Sequence, residues 1–192
     1  MARQPRADAV RNRGRILAAA RQEIADRGPD VGMDEIAGRA GVAVGTVYRH
    51  FPTKEALVTA IVNESMEQVA DDAERCLALC EGGAAARGQL IAFIEALITL
   101  SAENQAVLAA MEALGASKEA DSAEARATTA ITRLIEIGHE SSSIPRHVTV
   151  ADVYLLVGTA PYNRPASLRD RWLDLMLTGL MTVSDSAAHE PR

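Results

Sequence analysis

The chain has 192 residues, 48% hydrophobic but only 3% aromatic, and a formal charge of −6. That length accommodates one sizeable domain or a small module plus a larger one, and an aliphatic, alanine-rich core favours helices, so an all-α fold is expected. The negative balance taken alone argues against a nucleic-acid partner, and the longest apolar stretch, LIAFIEALITL at 90–100, is short for a membrane span and contains Glu95. No basic-then-apolar leader opens the chain, so a cytoplasmic protein with no membrane partner is expected.

The first dozen residues are polar and arginine-rich with Pro5, and read as a flexible arm. Ile16, Leu17, Ala20 and Ile24 then recur at helical spacing until Gly28-Pro29 stops them. Met33, Ile36, Ala37 and Ala40 form a short second stripe closed by Gly41. Val44, Val47, Tyr48 and Phe51 form a third, closed by Pro52. From Thr53, an N-cap residue, apolar positions at Leu57, Ile61, Met66, Val69, Ala73, Leu77 and Cys80 run unbroken to Gly82-Gly83. They predict one helix over 53–80, about 40 Å long at about 1.5 Å per residue.

Helices follow near 85–100 and 103–114, then a polar link from Gly115 to Asp121, then a helix near 123–138. Residues 139–147, with three serines and Pro145, read as a loop. Thr149 with Asp152 and Ser167 with Asp170 resemble capping boxes with Asp in place of Glu, opening two final helices separated by 163–165. The tail after Val183 reads as frayed. About nine helices are expected, with no strand and no repeat.

Charge divides the chain. Residues 1–54 hold ten Lys/Arg against six Asp/Glu, net +4, and residues 55–192 hold ten against twenty, net −10. A basic head that approaches an anionic polymer and an acidic body held away from it fit this asymmetry. Two short helices around Gly41 form a helix-turn-helix unit, whose second helix fits the DNA major groove. On that helix Val44, Val47 and Phe51 are expected to face the core, leaving Gly45, Thr46, Arg49 and His50 outward and Tyr48 at the edge. Gly45 lets backbone come close to DNA, Thr46 can meet a phosphate or a thymine methyl, and Arg49 can reach guanine or a phosphate. Lys54 opposes the helix dipole at a cost of about 0.3 to 1 kcal/mol, so a DNA phosphate bound beside Thr53 and Lys54 is expected to favour it there.

The run Ile36-Ala37, Ala40-Gly41-Val42, Gly45-Thr46-Val47-Tyr48-Arg49-His50-Phe51 and Thr53-Lys54-Glu55-Ala56-Leu57 resembles the signature of TetR-family transcriptional regulators. The resemblance covers about the first 60 residues. It implies a DNA-binding head, here residues 1–54, and a helical ligand-binding and dimerising body, 55–192. It also implies repression relieved by a small molecule. Positions matching Thr46, Tyr48, His50 and Lys54 commonly contact DNA in that family. Gly32 and Ala43 depart from it: they stand where Thr and Ser often cap the two short helices, at a cost of about 1 kcal/mol for alanine and less for glycine.

In the body, Met66, Val69, Ala73 and Cys76 on the long helix, with Phe93, Leu97, Met111, Leu134 and Tyr154, are expected to line a site for a small, mostly apolar ligand. Glu95 is either a ligand anchor on an apolar face or an ion-paired or exposed residue. Val153, Leu156, Val157 and Ala160, with Trp172, Leu173, Met176, Leu177 and Leu180, give the last two helices broad apolar faces for a homodimeric four-helix bundle. Such a dimer reads an imperfect palindrome.

Cys76 and Cys80 read as a reduced, inert pair, or as a thiol sensor or half of a metal site with His139 or His147. No third ligand has metal-like spacing, and no metal or cofactor is expected. No phosphate loop or nucleophile motif supports an enzyme, since Ser141, Ser142 and Ser143 beside His139 and Glu140 on one loop do not orient a triad. The alternatives to a ligand-released repressor are a ligand-responsive activator and a helical interaction module that binds no DNA.

Overall fold

The computed structural model describes residues 4–116 and 121–182. The tail from Val183, residues 117–120 of the polar link and Arg3 lie outside the described residues. Among the described residues there are nine helices and no strand. They are α1 (Gln4–Arg27), α2 (Met33–Ala40), α3 (Val44–His50), α4 (Lys54–Glu81), α5 (Ala86–Glu103), α6 (Gln105–Ala113), α7 (Asp121–Glu140), α8 (Val150–Thr159) and α9 (Ala166–Leu180). No single described helix is long and apolar enough to cross a membrane.

Several boundaries differ from expectation, among them the end of α5, which runs to Glu103 past the expected 100. The chain is helical from Gln4, so residues 4–12 of the segment read as an arm belong to α1. Pro5 lies in the first turn, where its missing N–H is not needed, and the Ala and Arg residues after it propagate the helix. α7 runs to Glu140, past the expected 138. Ser167 is not a cap: α9 starts after Pro165, whose carbonyl accepts from Leu168 N at 3.0 Å and Arg169 N at 3.2 Å. The Thr149 box does form, with Thr149 N donating to Asp152 Oδ2 at 2.7 Å.

The described chain divides into two compact units. One holds residues up to 68 and 102–121, the other 69–101 and 122 onward. α4 belongs to both units, and α6 joins the first because Val107 and Ala110 are buried in its core with Ile16, Leu17, Ile36 and Ile61. α1 packs on α2 and α6, and α2 on α3. Arg21 of α1 donates to the buried Ser65 hydroxyl at 3.1 Å and pairs with Glu64 at 3.0 Å, tying α1 to α4.

In the second unit the core is built from Cys76, Phe93, Ile94, Ile131, Leu134 and Ile144 among others. Arg126 of α7 reaches Asp71 at 2.8 Å and Glu74 at 2.7 Å on α4. After α7, the chain turns back so closely that a Cβ at Gly138 would lie 2.8 Å from Ile144 Cβ.

Candidate nucleic-acid interface

α2 stops at Gly41, which adopts φ 62° and ψ 41°. Gly41 N donates to Gly38 O and Val42 N to Ala37 O, each at 3.1 Å. This double bond is the Schellman ending, and the left-handed residue it needs is cheapest as glycine. At the other end of α2, Gly32 supplies no side-chain cap, but Glu35 reaches back to accept from Gly32 N at 2.8 Å. Half of a capping box thus survives the loss of the hydroxyl.

α3 follows after three residues, 41–43. Ala43 gives no side-chain cap, as expected from its methyl group, and Thr46 N bonds to Ala43 O at 2.8 Å. Phe51 ends the helix in extended conformation, as a residue before proline should. Thr53 then caps α4, its Oγ1 accepting from Ala56 N at 3.2 Å. The same hydroxyl, with a backbone N–H, holds the Glu55 carboxyl below its usual range.

Val47 is fully buried and Phe51 is 3% exposed. Val44, expected in the core, is 43% exposed and stands outside it. Side chains lean toward a helix's N-terminus, so at the first residue Val44 projects past the end of α3 with nothing above it. Gly45, Tyr48 and Arg49 are also exposed, while Thr46 and His50 are half-buried. The resulting outer face carries a methyl, a hydroxyl, a phenol and a guanidinium, a set suited to base edges and phosphates.

Most cations of this unit already have partners. Arg39 binds Glu23 at 2.6 Å and Asp26 at 2.8 Å, which raises its pKa above the ordinary arginine value. Arg27 pairs with Glu23 and Glu35, and Arg11 with Asp8. The Arg13 guanidinium lies 5.5 Å from the Phe51 ring centre. Arg15 Nη2 donates to Ala40 O at 2.5 Å and Gly41 O at 3.1 Å. Lys54 Nζ donates to Pro29 O and to Val31 O, the latter at 2.6 Å. These carbonyls give a cation at the start of α4 two acceptors within the protein. Among the cations between residues 8 and 68, Arg49 is the one without a recorded partner, and it lies on the outer face of α3. The sequence carried no signal for the Arg15 contact, which spans 25 residues.

The other candidate residues divide unevenly. Met66 and Met111 pack against the core of the first unit. Val69, Cys76, Phe93, Leu97, Leu134, Glu95 and Tyr154 belong to the second. Of these, Cys76, Phe93 and Leu134 are buried and Val69 and Leu97 half-buried. Glu95 is exposed, which matches the second of its two expected placements and not the ligand anchor on an apolar face. Tyr154 is 48% exposed and its hydroxyl bonds to Thr128. Cys76 and Cys80 are free and buried, and burial pushes both thiols above their usual pKa, which makes them inert. No three His, Cys, Asp or Glu side chains among the described residues could share a metal ion. Ser141 and Ser143 bond to the carbonyls that end α7 and to each other.

The expected dimer faces also shift. Val153, Leu156, Ala160, Leu173 and Leu177 are buried within the single chain and present little surface to a second copy. Val157, Trp172 and Leu180 are half-buried. The apolar residues left in solvent are Leu155 on α8 and Leu168, Leu175 and Met176 on α9.

Residues 16–61 match the sequence family described as bacterial regulatory proteins, tetR family. Residues 85–182 match the C-terminal domain described as transcriptional regulator SbtR-like. The crystal structure of a TetR transcription regulatory protein from Mycobacterium vanbaalenii is 32% identical, with a TM-score of 0.73, covering 92% of this chain and 99% of that one. An HTH-type transcriptional regulator of Staphylococcus aureus, SAR0097, is 35% identical over 79 residues, 40% of this chain and 41% of that protein. The HTH-type transcriptional activator FasR of Mycolicibacterium smegmatis is 38% identical over 66 residues, 34% of this chain and 30% of that protein. The match thus spans less than half the length of these curated relatives.

Proposed function

The chain belongs to the TetR family and is a DNA-binding transcriptional regulator, not an enzyme; from that premise we propose that it acts in the cytoplasm as a homodimeric repressor, bound to a palindromic operator and released by a small molecule. The observation that carries the reading is the outer face of α3, where Thr46, Tyr48 and the unpartnered Arg49 stand together beside an uncovered helix start. Arg49 is the base-reading candidate, with Tyr48, Thr46 and His50 toward the backbone, and Val44 and Gly45 at the leading end. Selection of bound duplexes from genomic fragments tests it. An inverted repeat with half-sites about one helical turn apart is the expected outcome, and binding should weaken steeply with salt. Selected sites without an inverted repeat would remove the symmetric dimer.

For the dimer we assign Leu155, Leu168, Leu175 and Met176 in place of the buried residues of the same helices. For the ligand, the remaining second-unit candidates are Val69, Cys76, Phe93, Leu97 and Leu134, all apolar, so an apolar molecule is the expected class. Release couples the two sites by about 1 to 3 kcal/mol, or about 5- to 150-fold in DNA affinity. A compound that raises thermal stability and leaves operator affinity unchanged would refute release. Activation is the second reading, supported by the name of FasR, whose match lies within one third of this chain. Loss of the protein should raise transcripts beside its sites if it represses, and lower them if it activates.

A further inference from the structure

Val44 lies 43% exposed at the first position of α3, outside the core that its spacing from Val47 and Phe51 predicts for it. A single apolar residue on a surface is ordinary and by itself assigns nothing. Its place on the helix says more. At about 100° per residue, Val44, Tyr48, Gly45 and Arg49 stand in that order across an arc of about 140°, and all four are exposed. Val47 is buried behind this arc, and Thr46 and His50 are half-buried beyond Arg49.

The arc carries a narrow set of base readers. Direct readout in the major groove uses Arg or Lys for guanine, Asn or Gln for adenine, Asp or Glu for cytosine, and an apolar side chain for the thymine C5 methyl. Residues 41–52, GVAVGTVYRHFP, contain no Asn, Gln, Asp or Glu. Adenine and cytosine therefore have no dedicated side chain along the turn and α3. Tyr48 offers a hydroxyl, Gly45 only backbone, and Val44 is the one branched aliphatic side chain on the arc. Val44 also stands where it can reach a base. It opens the helix, side chains lean toward the N-terminus, and a recognition helix meets base edges with its N-terminal residues.

We propose that Val44 is a specificity-determining residue: its isopropyl group packs on the C5 methyl of a thymine in each half-site, so α3 reads a guanine through Arg49 and a thymine through Val44. This rests on the DNA-binding reading above and names what that site recognises. The contact takes two apolar surfaces out of water and leaves no polar group unpaired, so it needs no hydrogen bond from the helix. The discriminating group is then the thymine methyl, not the base-pairing edge.

Deoxyuridine isolates that group, because it pairs as thymine does and lacks only the methyl. Wild type, Val44→Ala, Thr46→Ser, Ala43→Gly and Arg49→Ala are titrated on a selected duplex and on duplexes in which each half-site thymine is replaced in turn by deoxyuridine. An unrelated duplex of equal length is the reference, and circular dichroism follows folding. In wild type, replacing one particular thymine should weaken binding about fourfold per half-site, the worth of one buried methyl. In Val44→Ala that difference should largely vanish, because the two methyl groups that meet the thymine are gone. The variant keeps its fold, since Val44 lies outside the core and alanine is the better helix former.

A thymine-to-deoxyuridine difference of equal size in wild type and Val44→Ala at every position would overturn the proposal, as would the lack of any such difference in wild type. Loss of the difference in Thr46→Ser or Ala43→Gly, with retention in Val44→Ala, would assign the methyl to a neighbour and overturn it equally. The difference should persist in Arg49→Ala, whose side chain stands about 140° round the helix from Val44. Its loss there as well would mean a general weakening of the complex and no contact particular to Val44. A wild-type protein that showed no preference between the selected and the unrelated duplex would bring down the DNA-binding reading itself, and the proposal with it.

Discussion

Replacing Gly45 by alanine should raise the stability of the free protein and lower its affinity for DNA. Gly45 is the second residue of α3, it is exposed, and a Cβ built on it meets no other atom within 4 Å. Alanine there gains up to about 1 kcal/mol in helix propensity, worth about 2 to 4 °C in melting temperature for a chain of this size. In the complex the same methyl group lies on the end of α3 that enters the groove. A methyl forced into a close-packed contact costs about 1 to 3 kcal/mol, which is about 5- to 150-fold in affinity. Thermal melting of the free protein and titration of a selected duplex measure the two effects on one preparation. Gly38→Ala, on α2 and equally unobstructed, serves as the control that raises stability alone. Unchanged affinity in Gly45→Ala would mean that the backbone at this position stays clear of DNA, and the assignment of the start of α3 to the groove would fall.

Gly138→Ala should have the opposite sign on stability. The new methyl would lie 2.3 Å from Ile144 Cδ1 and 2.8 Å from its Cβ, and Ile144 is fully enclosed, so overpacking outweighs the propensity gain by about 1 to 2 kcal/mol; a raised urea midpoint would refute this. Leu155→Glu with Leu175→Glu should leave helicity intact, both being more than half exposed, yet give a monomer in light scattering; a persistent dimer would place the interface elsewhere. Arg126 holds the Glu74 carboxyl below the usual range. A depressed folded pKa gives stability that is present above the unfolded value, about 4.3, and is lost as pH falls through the folded one. Arg126→Met should therefore destabilise at pH 7 and do so less at about pH 3, and an equal loss at both would show that packing of the long side chain, not its charge, is what matters.

Features decided within a few residues were legible before any coordinates. Gly41 ends α2 because a left-handed residue must stand there, Thr53 caps α4 with its own hydroxyl, and Thr149 with Asp152 opens α8. The signature around Tyr48 and Arg49 was legible for the same reason, since the outer face of a short helix follows from its period. Apolar period did not say what an apolar face packs against. In α8 it put Val153 and Leu156 on one face without Leu155, but it could not say that this face is covered by the helices of its own chain, because only the neighbouring helices decide that. Charge count likewise could not say which cations of the basic head are free. Arg15 and Lys54 find carbonyl oxygens 23 to 26 residues away, Arg39 finds Glu23, and Arg49 finds none. A hydrogen bond forms when the whole fold brings donor and acceptor within about 3 Å, so partners distant in sequence belong to the tertiary structure alone.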